Sequence, residues 1–120
     1  MKRDRASRVG DEMMRVVSDI LRNEVKDPRI PLMTSVVEVK MSADLSHAKI
    51  FLSVMTDEQG KKEFREAIAS ASGFIKRVIV QRINLRTAPE IQFVFDETIE
   101  KGMKLMKLID ETIREDDARE

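Results

Sequence analysis

Residues 63–86 read Glu-Phe-Arg-Glu-Ala-Ile-Ala-Ser-Ala-Ser-Gly-Phe-Ile-Lys-Arg-Val-Ile-Val-Gln-Arg-Ile-Asn-Leu-Arg. Ahead of Ala71-Ser72-Gly73 the apolar residues Phe64, Ala67, Ile68 and Ala71 recur at helical spacing, and beyond it Phe74, Ile75, Val78, Ile79 and Ile83 do so again. The pattern predicts two helices that meet at a glycine with no loop between them. A Gly/Ser pair is a common cause of a kink, because glycine takes backbone angles that cost other residues more. A kink at Ala71-Ser72-Gly73 would present a fresh helix N-terminus at Ser72 and Gly73, where unpaired N–H groups and the helix dipole favour an anion. From Gly73 to Arg86 there are four bases (Lys76, Arg77, Arg82 and Arg86) and no acid. A solvated helix face ordinarily mixes signs. Arg82 falls inside the apolar arc, where packing alone would call for leucine. The stretch therefore reads as a contact for the phosphates of a nucleic acid.

Outward from this stretch the chain divides cleanly. On the N-terminal side, Ala48, Ile50, Leu52 and Val54 alternate with His47, Lys49, Phe51 and Ser53, and Val37, Val39 and Met41 alternate with Glu38 and Lys40. These are two half-buried strands, joined through the turn residues Ser42-Ala43-Asp44-Leu45-Ser46. Before them, Val9, Met13, Val16, Val17, Ile20 and Leu21 form the stripe of an amphipathic helix over residues 5–26, which Asp27-Pro28 ends. On the C-terminal side, Ile91, Phe93 and Phe95 mark a third strand. Asp96 then caps a helix with the stripe Ile99, Met103, Met106, Ile109 and Ile113. Helices that each bury one stripe on three strands imply an α+β fold, a two-layer sandwich with one sheet face open. One domain over residues 1–114 is expected, followed by a short charged tail at 115–120.

Composition narrows the function classes. The 120 residues include no cysteine and one histidine, so disulfides, thiolate metal sites and cysteine nucleophiles are all removed. No apolar run approaches the roughly 18 residues of a membrane span, and no membrane association is expected. Twenty-two basic residues balance 22 acidic ones, so indiscriminate binding to nucleic acid is disfavoured. The distribution is uneven, with a basic middle and, from Asp96 to Glu120, nine acids against five bases. Lys2, Arg3, Arg5 and Arg8 form a basic N-terminal arm, which is either a second phosphate contact or a solvated terminus.

Catalytic chemistry finds no support. His47 lies on the polar face of its strand with no evident partner or co-ligand, and no phosphate-loop, dinucleotide or nucleophile-elbow pattern occurs. Phe51 shares the outward phase of His47, Lys49 and Val94; it is either a stacking surface for a base or an ordinary exposed aromatic. No cofactor, metal or small-molecule substrate is expected.

Four segments extend this reading: Val25-Lys26-Asp27-Pro28-Arg29 after the first helix; residues Val39 to Lys49 through the hairpin; Ala71-Ser72-Gly73-Phe74-Ile75-Lys76-Arg77 at the joint; and residues Pro89 to Gly102 through the third strand. In this order and spacing, from about Arg5 to about Leu108, they resemble the ribosome-binding factor A family of bacterial small-subunit assembly factors. The resemblance implies a type II K-homology fold with an additional C-terminal helix, in which an Ala-x-Gly kink stands in place of the usual Gly-x-x-Gly loop. It also implies a non-enzymatic protein of the cytoplasm that binds free or immature 30S subunits and contacts 16S ribosomal RNA; a monomer is expected, although the uncovered sheet edge leaves weak pairing open. The same family assists maturation of the 5′ end of that RNA and matters most in the cold. His47 stands where the family commonly has tyrosine. Two rival readings remain, a K-homology-like module for other single-stranded RNA and a protein-binding module acting through the open sheet face.

Overall fold

The structure, a computed structural model, describes residues 4–97 and 105–109. Lys2, Arg3, Ile99, Met103, Ile113 and the tail 115–120 lie outside the described residues. The first helix, α1 (Arg5–Asp19), starts where the extended Asp4 accepts the Ser7 N–H on its carboxylate at 2.7 Å, satisfying one of the donors a helix start leaves open. α1 then passes into a π-helical turn (Ile20–Glu24) that ends with the Val25 N–H donating to the Ile20 carbonyl at 2.9 Å. The α-helix expected to reach residue 26 therefore widens over its last residues. Strands β1 (Thr34–Met41) and β2 (His47–Val54) form an antiparallel hairpin, and β3 (Glu90–Phe95) lies parallel to β2 on its other edge.

A parallel neighbour needs a crossover, and α2 (Glu58–Ile83) supplies it in 26 residues, about 39 Å of helix. Asp57 caps it by accepting the Gly60 N–H at 2.7 Å, so the helix begins five residues before the stretch read from the sequence. It also runs unbroken through Ala71, Ser72 and Gly73, and among the described residues no glycine has a positive φ. The expected joint is thus absent. The physical reason is the stripe itself: buried Phe64, Ile68, Ile75 and Ile79, with half-buried Ala71 among them, advance in steps of three and four with no change of phase. Asn84, at φ 55°, ends the helix in the left-handed region that Asn tolerates, with its N–H bonded to the Val80 carbonyl.

The core lies between the helices and one sheet face. Met13, Val17, Ile20 and Leu21 of the first helical segment meet Phe64, Ile68, Ile75 and Ile79 of α2 over Val36, Ala48, Ile50, Leu52 and Ile91 of the strands. Phe64 packs edge-on against Phe95 at 5.6 Å. The register slips between Val36 and Glu38, a bulge that buries Val36 and turns Val37 from the core face where alternation alone would place it. Of the expected C-terminal helix the described part, residues 105–109, is helical, yet Met106 and Ile109 are exposed rather than packed in the core.

An added Cβ at Gly73 would meet nothing within 4 Å. In a continuous helix, Gly73→Ala should stabilise the protein by about 0.5–1 kcal/mol, read as a rise in the urea midpoint. A lowered midpoint would mean that the residue holds a conformation open only to glycine.

Candidate nucleic-acid interface

The outer face of α2 carries the first group of candidate residues. Gly73 is exposed, and Lys76 and Arg77, three and four residues on, stand beside it on the same face and are exposed too. Ser72 is half-buried on the flank of that face. Because Ser72 and Gly73 lie in the helix interior, their N–H groups are committed to the preceding turn, and the expected amide cradle for an anion does not form. What the face offers is a place without side chains at Gly73, followed one turn later by two cations. Among the described residues neither Lys76 nor Arg77 has an ion-pair partner.

A second group assembles at the far end of α2. The left-handed cap at Asn84 redirects the chain so that Leu85, Arg86, Thr87 and Ala88 meet Arg5 and the Asp44-Leu45-Ser46 turn around a cavity of about 490 Å³. Arg5 and Arg86 are exposed and, among the described residues, without a carboxylate partner. Asp44 does not serve that purpose, because its carboxylate accepts from the Ser46 and Ser42 hydroxyls at 2.7 and 2.8 Å. Those hydroxyls, and the Ser46 N–H, hold its carboxyl down at about 2. Arg8, exposed one turn beyond Arg5, extends the group along α1. Arg77 and Asn84 are seven residues, about 10 Å, apart along the helix axis.

Arg82 belongs to neither group. Its guanidinium is paired with Asp19 at the end of α1 and with Glu24 at the end of the π-turn. Asp19 and Glu24 are five residues apart, a spacing that an α-helix would set about 140° around the axis and that the i→i+5 turn stacks on one side. The bond from Arg82, then that from Asn23, holds the Asp19 carboxyl below the usual range. The arginine in the apolar arc is accounted for by this clamp between the two helical segments.

The open sheet face holds a feature not read from the sequence. Lys40 and Lys49 are directly opposed across β1 and β2, an arrangement that costs energy in itself, and the Lys40 Nζ lies 5.3 Å from the Phe51 ring centroid. The expected stacking surface at Phe51 is therefore half-buried and capped by an ammonium group. Pairing outward from the Ser42–Ser46 turn would have shown the two lysines as partners. His47 faces solvent, with the Ser46 hydroxyl 2.8 Å from its Nδ1 and Glu90 3.3 Å from its Nε2. Among the described residues no cluster of His, Asp or Glu is arranged to hold a metal ion, and no helix is long and apolar enough to cross a membrane.

Helices on one face of a three-stranded mixed sheet, with cations along the crossover helix, define an α+β protein of K-homology-like fold. The family model described as ribosome-binding factor A matches residues 5–109. Ribosome-binding factor A of Acetivibrio thermocellus is 45% identical over 109 residues, which cover 91% of this chain and 89% of that one. The crystal structure of ribosome-binding factor A from Thermus thermophilus shares the fold, with a TM-score of 0.62 at 20% identity over 74% of this chain and 93% of that chain. So do coordinates of Thermus thermophilus ribosome binding factor A fitted into a cryo-electron microscopy map of a complex with the 30S subunit, with a TM-score of 0.62 at 18% identity over 77% of this chain and 96% of that chain. The chain belongs to the ribosome-binding factor A family.

Removing the clamp should separate structure from binding. Arg82→Ala is expected to lower Tm by a few degrees at most, while leaving the affinity of the folded protein for nucleic acid within about twofold. A large loss of affinity at unchanged Tm would return Arg82 to the interface.

Proposed function

We propose that this chain is a non-enzymatic assembly factor that binds free and immature 30S subunits in the cytoplasm through 16S ribosomal RNA. In this reading it assists late maturation of the subunit, including processing of the RNA 5′ end, and it acts as a single domain spanning residues 1–114. Family membership supports the choice of partner, together with the 30S complex in whose map the Thermus relative was fitted.

The observation that carries the assignment of the surface is the exposed set Arg5, Arg8, Lys76, Arg77 and Arg86, cations that no carboxylate among the described residues neutralises. Phosphate contacts from these five position the protein, and Gly73 lets the RNA backbone approach α2 closely. Lys2 and Arg3 continue the basic arm in the sequence and add to it in this reading. Folded RNA is recognised mainly by shape, because side chains read little from its narrow major groove.

Co-sedimentation with purified 30S subunits over a range of salt tests the proposal. Five phosphate contacts give a slope of log affinity against log salt of about −3.5 to −4.5, and seven, with Lys2 and Arg3, about −5 to −6. The Lys76→Glu, Arg77→Glu double variant should fold normally, bind at least tenfold more weakly and show a slope shallower by about 1.5. Unchanged binding and slope would overturn the surface assignment. Short single-stranded RNAs bound as tightly as the intact subunit would replace this reading with that of a general single-strand module.

A further inference from the structure

The cavity at the end of α2 holds more than two phosphate contacts require. Its volume of about 490 Å³ falls within the roughly 300–1,000 Å³ of small-ligand sites. Beside Arg5 and Arg86 its lining includes Leu45, Leu85 and Ala88 as well as Asp44. A phosphate drawn inside would gain nothing from the leucines and would meet an ionised carboxylate, since Asp44 stays charged down to a pH of about 2. A nucleobase differs on both counts. Its faces pack on apolar side chains, and an exocyclic amino group can donate to an acid.

The turn that supplies Leu45 is built at a cost. Leu45 has φ 62°, left-handed backbone that glycine or asparagine adopts more readily than a bulky residue. Hydrogen bonds hold it there: its N–H donates to the Ser42 carbonyl at 2.9 Å, and the Ser42 hydroxyl oxygen accepts the His47 N–H at 2.9 Å. Leucine at this position gives the cavity an apolar side chain that neither of the cheaper residues would supply.

We propose that this cavity receives the base of one unstacked nucleotide of the bound RNA, while Arg5 and Arg86 meet the phosphates on either side of it. The proposal rests on the RNA-binding reading above and adds to it the kind of RNA element recognised. Bases within a helix are paired and stacked, so the element is a loop, bulge or strand end from which a base can turn outward. The site is separate from the Gly73 face, because Gly73 lies ten residues, about 15 Å, before the last residue of α2.

Titration of the full-length protein with adenosine 5′-monophosphate and with ribose 5-phosphate, followed through its amide signals, separates base from phosphate. The nucleotide is expected to shift Leu45, Ser46, Arg86 and Thr87 and to bind at least about fivefold more tightly than the sugar phosphate. Ala88 is exposed, so Ala88→Trp fills the cavity without changing a charge; it should abolish those shifts and weaken 30S binding at least about fivefold at an unchanged salt slope. Leu45→Gly keeps the turn, since glycine takes φ 62° without strain, and should also weaken nucleotide binding. Equal binding of the two probes, no shift at these residues, or nucleotide binding that persists in both variants overturns the base site. Unchanged 30S binding by Ala88→Trp, beside lost binding by the Lys76→Glu, Arg77→Glu variant, overturns it while leaving the proposed function standing.

Discussion

The parallel pairing of β2 with β3 is the constraint from which the rest follows. β3 has to begin beside the start of β2, Glu90 level with His47, after β2 has already run to Val54. The chain must therefore travel back along the sheet before it can pair. A helix is the ordinary way to do so with every backbone group satisfied, and α2 does it in one piece. Its buried stripe from Phe64 to Ile79 fixes its rotation about its own axis. The opposite face is then set by geometry to look at solvent, free to carry residues chosen for something other than packing. α1 completes the layer, approaching β1 closely enough that a Cβ on Gly10 would stand 3.1 Å from the Val39 carbonyl oxygen.

That freedom explains how one helix carries two kinds of cation. Arg82 lies where α2 meets the end of α1, and the π-turn presents two carboxylates to it on one side. An exposed charge held by two carboxylates this way contributes to the fold and has little left to offer a partner. Lys76 and Arg77, one turn and more before it, point away from the core and meet no acid among the described residues. Charge counting along the sequence cannot separate these roles. The distinction rests on Asp19 and Glu24, some sixty residues away in the chain.

The same division between local and distant causes runs through the comparison of sequence with structure. The phases of β2 and β3 were legible because alternation is a local property, and Ala48, Ile50, Leu52 and Ile91 are buried as their period requires. The order and type of the elements from α1 to β3 follow from such patterns, but their number does not, since two helices were expected where α2 is one. The bulge at Val37 was not legible, since it belongs to the pairing of two strands rather than to either. The π-turn depends on a carboxylate pair whose partner comes from α2. At Ala71-Ser72-Gly73 composition suggested a break, while the spacing of Phe64, Ile68, Ala71, Ile75 and Ile79 already described a single helix; periodicity should have outweighed the glycine. In the candidate interface, Arg5 and Arg86 were both singled out from the sequence. Their meeting around one cavity was not, because the left-handed turn at Asn84 that brings them together leaves no periodic trace.

A chain with no net charge projects a weak field beyond the Debye length of about 8 Å at physiological salt. Distant polyanions are therefore attracted little, and attraction grows only at contact, where the exposed arginines and lysines act one by one. In the proposed reading, two groups of cations, one on a straight helix and one around a concave end, are neutralised together best by phosphates held at a matching separation. A flexible single strand must lose entropy to adopt that arrangement, whereas a folded RNA has already been ordered by its own pairing. In the proposed function, rigidity in the RNA would thus replace base reading as the source of selectivity. The continuous α2 supports this better than a kinked one would, because it fixes the distance between the two groups.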